Sequence, residues 1–258
     1  MAKQLLIYER AVPVSRQSHG NLAVKTGGNF GFARHVNSVP LMAAEFAHAT
    51  AEYAVVFAGQ GEEIIPVVLL GVRDNENLFV NEDGSWAGRY VPAFLRRYPF
   101  VFSSTDDGAN FTLCVDEKFE GCNRKGRGER LFDGDGERTQ YLEGVLGFLQ
   151  AYQVQFQRTR ALTKRLQDLN LFESMQARFT LRNNQVLTLS GFLAVNRERL
   201  KALTGDQLAL LSSFDDLELI YLHLQSLRHL SATAERMGAG TIKADDAEPE
   251  QQTAPEPA

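Results

Sequence analysis

With 258 residues, 44% of them hydrophobic and 23% charged, the chain is long enough to bury a sizeable core, and its composition is that of a globular protein. The formal net charge of −5 is concentrated at the end: from Gly238 onward Lys243 stands against Asp245, Asp246, Glu248, Glu250 and Glu256, so the remainder is near neutral and lacks a basic footprint for sequence-independent nucleic-acid binding. No run approaches the roughly 18 apolar residues of a membrane span, and two cysteines, Cys114 and Cys122, are too few for a disulfide framework.

Reduced thiols and the absence of a long apolar signal-like stretch in the first residues lead to the expectation of a soluble cytoplasmic protein, with signal-independent export left open. Residues 4–14 read as a short edge strand interrupted by Pro13. His19 to Phe32, polar and glycine-rich, reads as a loop. Pro40 opens an Ala-rich helical pattern, with Ser38 as N-cap and Leu41, Ala44, Glu45 and His48 on the helix. Tyr53 to Ala58 and Ile64 to Val72 come next as strands, joined by a turn at Gly59–Gln60–Gly61.

The chain is organised around the stretch from Val67 to Phe102. It starts as a continuous apolar run, the mark of a strand buried on both faces. Turn-forming residues then gather around Trp86, the single tryptophan, before Arg96, Arg97 and Tyr98 lead into another apolar run. Asn81 to Gly84 predicts a hairpin turn between Leu78–Val80 and the strand before it, and Val91 to Arg97 a helical turn starting at Pro92. Phe100–Ser103 and Phe111–Val115 predict a second hairpin. Residues 121–138, glycine-rich and charged, predict an exposed loop.

From Thr139 to about Asn170 apolar residues recur at steps of three and four, which predicts a long amphipathic helix bent near Phe156 to Thr159. A hairpin across Asn183–Asn184 comes next, with GFLAVN continuing its second arm or bending away at Gly191. Helices over Arg197–Leu203 and Asp206 to about Arg236 complete the folded part, the latter broken near Ser212–Asp216. Residues 237–258 hold almost no apolar side chains and are expected to form a disordered acidic tail. The expected class is α+β: a β-rich N-terminal half with a mixed or antiparallel sheet, packed against a helical C-terminal half, in one domain over residues 1–236.

Motifs for chemistry fail one by one. An EF-hand loop starting at Asp133 needs Gly and Glu at its sixth and twelfth positions, where Arg138 and Gly144 stand. Cys114 and Cys122 have no histidine spaced to complete a zinc set, and His223 and His229 are not on one helical face. DGSWAG misses the Gly-x-Ser-x-Gly elbow, and no P-loop is present. No metal and no cofactor is expected. Asp116 and Glu117, at a strand end, are weak general acid or base candidates, because adjacent strand residues point to opposite faces. The most suggestive constellation is Arg73, Asn77, Trp86, Arg96, Arg97 and Tyr98: arginine forks grip carboxylates and phosphates, and Trp, Tyr and Arg anchor protein interfaces. Its alternative is internal pairing of the arginines with Asp74, Glu76, Asp83 or Asp116. Trp86 is expected to be partly buried against Val91–Phe100, and a helical turn to aim at least one of Arg96 and Arg97 outward.

The strings FARHVNSVPLMAAEF, AVVFAG, VVLLGVRDNENLFV, DGSW, YVPAFLRRYPF, LCVDE, LFDGDGE, GFLAVN and LIYLHLQSL occur in order between about Leu6 and Arg236. Over that length the chain resembles the SapC family of bacterial proteins, most sharply at Asn37–Pro40 and in RRYPF. It departs at Met42, Ala47–His48 and Asn81, and the acidic tail lies outside the pattern. The resemblance implies an association with a bacterial surface layer, or with TonB-dependent receptors beside whose genes such genes stand, and it supplies no catalytic residues. The expected function is therefore a non-enzymatic accessory or interaction protein with a protein partner in a surface-layer or outer-membrane uptake system. The alternative is an enzyme modifying a peptide or small molecule, with Asp116, Glu117, Arg73 and Arg97 as candidates. A surface or periplasmic structural protein is a third reading.

Overall fold

The computed structural model describes residues 6–104, 110–181, 186–237 and 239–246. In chain order its elements begin with β1 (Ala11–Pro13), α1 (Arg16–His19), β2 (Ala23–Val24), β3 (Ser38–Pro40), α2 (Phe46–Ala49), β4 (Val55–Ala58) and β5 (Ile65–Leu69). They continue with α3 (Ala93–Arg96), β6 (Phe100–Ser104), β7 (Phe111–Asp116), β8 (Cys122–Asn123), β9 (Glu129–Arg130) and the long α4 (Gln140–Asp168). The last are β10 (Phe172–Leu181), β11 (Val186–Val195), α5 (Arg197–Lys201), α6 (Gly205–Ser213), α7 (Asp216–Ser226), α8 (His229–Arg236) and β12 (Ala239–Asp246). Antiparallel sheets dominate the N-terminal half and helices the C-terminal half, as expected of an α+β chain.

The main sheet runs β12-β10-β11-β4-β5-β3, so the late hairpin β10–β11 does join the strands of the first half. The apolar runs of β4 and β5 are explained by burial on both faces. Val55 and Val68 enter one cluster with Phe46, Tyr53, Phe79 and Phe94, while Val56, Val67 and Leu69 enter another with Phe179, Phe192 and Leu230. A second sheet, β1-β7-β6, and a small one, β8-β2-β9, pack under the first half of α4 through Leu142 and Leu149. The second half of α4 turns Leu162 and Leu166 toward Phe57, Leu211 and Ile220. This helix, capped by the Thr139 hydroxyl on Leu142 N, is about 43 Å long at 1.5 Å per residue and so ties both halves together.

Several local expectations are corrected. Pro40 does not start a helix: Ser38–Pro40 pairs with Val67–Leu69 as an edge strand, where a missing N–H is tolerated, and helical structure begins only at Ala43. Leu41 therefore precedes it. The bridge formed across Asn81–Gly84 joins Val80 to Trp86 and not to the preceding strand. The predicted loops at 19–32 and 121–138 contain β2, β8 and β9, whose two-residue lengths leave no periodic signal. The tail is corrected over Ala239–Asp246, which pairs along β10, because the open backbone of a sheet edge accepts a strand without needing apolar side chains. Residues 247–258 and the Asn183–Asn184 turn lie outside the described residues.

Candidate functional site

The α3 helix carries the two arginines, and its position is set by a buried carboxylate. Glu45 Oε1 accepts the Ala93 N–H at 2.7 Å and the Tyr90 hydroxyl at 2.7 Å, while Oε2 accepts Met42 N at 2.9 Å. One side chain thus caps the start of α3 and fixes the segment before it. Successive helical residues differ by about 100°, so Arg96 and Arg97 diverge. Arg96 is exposed, and its guanidinium lies over Phe148 (5.4 Å) and Tyr90 (5.7 Å), donating to Val91 O at 3.0 Å and to the Tyr90 hydroxyl at 3.3 Å. Arg97 is only 4% exposed and sits among Phe94 (4.3 Å), Tyr152 (4.9 Å) and Tyr8 (5.8 Å). Burial pushes the Tyr8 phenol up to about 12, tempered by the Arg97 cation, and raises Tyr152 as well, so the rings stay neutral around the charge. The expectation of one outward arginine holds for Arg96. Arg97 belongs to the interior.

Tyr98, also buried, stacks on Phe32 at 4.1 Å and gives its hydroxyl to Asp116 Oδ2 at 3.3 Å. Asp116 is fully buried and accepts three backbone N–H groups besides, from Glu9 (2.7 Å), Lys118 (3.0 Å) and Arg10 (3.1 Å). A carboxylate saturated by four donors is a clamp between β7 and the N-terminal segment, with no lone pair left over for a substrate proton. Glu117 turns the other way, as strand alternation requires, toward Arg10 (3.8 Å) and His19 Nε2 (3.4 Å). The latter contact is too poorly aligned to be a hydrogen bond.

The remaining members of the constellation divide. Trp86 is half-buried, as expected, but against Phe30 (5.5 Å) and Phe79 (5.9 Å), and its Nε1 donates to the Tyr53 hydroxyl and to Tyr90 O, each at 3.0 Å. Tyr53 in turn donates to Tyr90 O, and Glu52 grips the N–H groups of Arg89 and Tyr90. Trp86 therefore supports Tyr90, and through it Arg96. Arg73 is paired with Glu76 at 3.0 Å, the internal pairing weighed as an alternative, and Asn77 is buried, joining Ala33 O to Phe79 N. Neither touches the arginine pair. Sequence reasoning missed Tyr90, Glu45 and Glu52 as supports of Arg96. For Glu45 the one local signal was its place three residues after Met42, whose N–H it accepts; Tyr90 and Glu52 had none, since their contacts are long-range.

Arg96, Tyr98 and Phe100 from this side, with the buried Arg97 behind them, and Tyr141, Phe148 and Leu149 from α4, line a cleft of about 330 Å³. A roomier depression of about 620 Å³ lies further along α4, but its cations are engaged: Arg138 with Glu143 at 3.4 Å, and Arg16 with Asp135 O at 2.5 Å. Both cysteine thiols are raised by burial, Cys122 to about 11 with help from Asp116 and Glu117, so neither is a ready thiolate at neutral pH. Among the described residues no group of three His, Cys, Asp or Glu side chains is placed to hold a metal ion, and no helix is long and apolar enough to cross a membrane.

No curated protein and no solved structure matches the chain. The model of one family, SapC, matches residues 14–232, which include the arginine cleft and all its supports, and the chain belongs to the SapC family.

Proposed function

We propose that the chain is a non-enzymatic accessory protein that works by binding a protein partner through the arginine cleft. The observation that carries this reading is Arg96: an exposed guanidinium held over two aromatic rings at the lip of an apolar slot. Arginine beside Tyr and Phe in a partly desolvated recess is the composition of an interface hot spot. The groups that acid–base chemistry would need are committed elsewhere, Asp116 to its four donors and the cysteines to their protonated forms. Family membership supports a partner in a bacterial surface-layer or outer-membrane uptake system.

The experiment is partner capture from native lysate with the wild-type chain and with Arg96→Ala. Loss of a hot-spot arginine of about 2 kcal/mol lowers capture by tenfold or more at unchanged melting temperature. Because the cleft is concave, it also suits the alternative, an enzyme acting on a peptide or small molecule. In that case Arg96→Ala keeps its partners and loses turnover of a lysate metabolite.

A further inference from the structure

One stretch of the glycine-rich segment is held in a single shape by one side chain. Asn123, at the end of β8, accepts the backbone N–H groups of Lys125 and Arg127 on Oδ1, each at 3.1 Å. Its Nδ2 donates to the carbonyls of Arg127 (2.7 Å) and Gly121 (3.0 Å). Gly126 and Gly128 take φ of 67° and 96°, and at Gly128 a Cβ would stand 2.7 Å from Lys25 Cα. The side chains presented are Arg124, Lys125 and Arg127, all exposed, with exposed Lys25 beside them at the end of β2, its N–H on Gly121 O at 3.0 Å. Arg124 reaches Ser18 O at 3.4 Å. Among the described residues none of these four is ion-paired to a carboxylate, whereas Arg73, Arg138, Lys164, Arg165 and Lys201 each have one. A cluster of cations on a rigid turn inverts the sign of a chain whose net charge is −5.

The turn adjoins the arginine cleft. Thr26, next in the chain to Lys25, lines that cleft together with Tyr141 of α4. Arg96 lines that recess, and the basic turn begins one residue beyond its lining residue Thr26, so cations from two separate elements stand close to walls that include Phe100, Tyr141 and Phe148.

We infer that the occupant is an acidic peptide segment of the partner carrying an apolar anchor: the apolar side chain fills the cleft, and flanking carboxylates face Arg96 and the basic turn. This rests on the cleft being a binding site, as proposed above, and adds the chemistry of what binds. Exposed Glu120 and Glu129 flank the turn, and Glu129 stands near enough to Tyr141 to help raise its phenol. The cationic patch is therefore short and suits a short acidic segment over an extended polyanion or an anionic bilayer. The chain's own tail offers Glu248, Glu250 and Glu256 but only Ala and Pro beside them and no large apolar side chain, so it lacks the anchor.

The test is fluorescence anisotropy of a labelled peptide with one Phe between paired glutamates, titrated with the full chain. Binding is expected, weaker by at least about tenfold when the glutamates become glutamines, when the Phe becomes Ala, or when Lys25→Ala, Lys125→Ala and Arg127→Ala are combined. Asn123→Ala retains every charge and weakens binding several-fold, because the turn loses its shape. If Arg96→Ala abolishes binding while the combined variant and the glutamine peptide behave as wild type, the cleft reading stands and the acidic-segment inference is overturned. If the combined variant weakens binding but Arg96→Ala and the Phe-to-Ala peptide do not, the cleft reading itself has failed. No binding of the peptide, or tighter binding of phosphatidylserine vesicles or oligo-dT, also overturns the inference. The peptide substitutions decide the matter even where a protein variant misfolds.

Discussion

The loops around α3 and the seam between β4 and β11 solve the same problem, unpaired backbone in the interior, with opposite chemistry. Around α3 the orphan groups are N–H donors, and carboxylates take them: Glu45, Glu52 and Asp116 accept backbone N–H groups from residues as far as 107 positions away. At the seam both kinds of group are orphaned. Strand β4 meets β11 at Phe57 and Leu193, and beyond that pair α7 fills the gap. His223 accepts Val195 N on Nε2 (3.1 Å) and donates from Nδ1 to Val55 O (2.8 Å), while Ser226 Oγ accepts Val55 N at 3.0 Å. Only a neutral group that both donates and accepts serves there, and burial holds the imidazole down to about 4. Where donors alone need partners, a charge is suitable. Where a ladder is interrupted, a charge is excluded.

The largest effect expected from this contrast is at Asp116. Asp116→Ala leaves three backbone N–H groups and the Tyr98 hydroxyl without their acceptor, a loss of roughly 4 kcal/mol in urea unfolding. Asp116→Asn, which keeps one carbonyl oxygen, is expected to lose about half as much. Equal stability of all three proteins would show that the loops are held by something other than the carboxylate.

The seam responds to pH instead. His223 binds its proton at about 4 when folded and near 6.5 when unfolded, so between those values the unfolded state takes up more protons and stability rises with pH. Its contribution is complete above about pH 6.5 and is lost on acidification toward pH 4, on the order of 3 kcal/mol. Comparing urea unfolding of wild type and His223→Gln at both ends isolates this group from the carboxylates. Gln also donates and accepts but does not titrate, so its curve is expected to be flatter. Parallel curves would remove the imidazole from the seam.

These two regions also differ in how far residue patterns reveal them. The double-sided burial of β4 and β5 was legible in their unbroken apolar runs, and α4 in its three-and-four spacing, because each pattern is created by the burial it reports. The divergence of Arg96 and Arg97 followed from helix geometry alone. The clamps were not legible: nothing local to Asp116 says that Glu9 and Arg10 will come to it, since the pairing is made by the register of β1 on β7. Pro40 misled for a related reason. Its neighbourhood favours a helix start, but pairing of Ser38–Pro40 with β5 overrides local preference. At the seam His223 gave no signal, since its two partners lie on strands far from it in sequence.

Trp86 tests whether support for the cleft is separable from the clamps. Half-buried and bonded through Nε1, it is expected to cost about 2 kcal/mol on replacement by Ala, less than a fully buried Trp. As the single tryptophan it reports on itself, with emission blue-shifted from that of indole in water. Emission at the water position together with an unchanged melting temperature would detach Trp86 from Tyr90 and from Arg96.

The smallest expected effect is on the residue to which most function is attributed. Arg96 makes two hydrogen bonds, to Val91 O and the Tyr90 hydroxyl; when the guanidinium is gone Tyr90 keeps its own donation to Glu45, and because Tyr90 and Val91 are both partly exposed, water serves the freed acceptors. The ring faces of Tyr90 and Phe148 lose a cation, an exposed contact worth about 0.5–1 kcal/mol at most, offset by the side-chain freedom that Arg96 gives up to lie over them. Arg96→Ala is therefore expected to change unfolding free energy by no more than about 0.5 kcal/mol. A loss as large as that at Asp116 would mean that Arg96, like Arg97, is part of the interior scaffold, and an outward cation could no longer be the recognition element of the cleft.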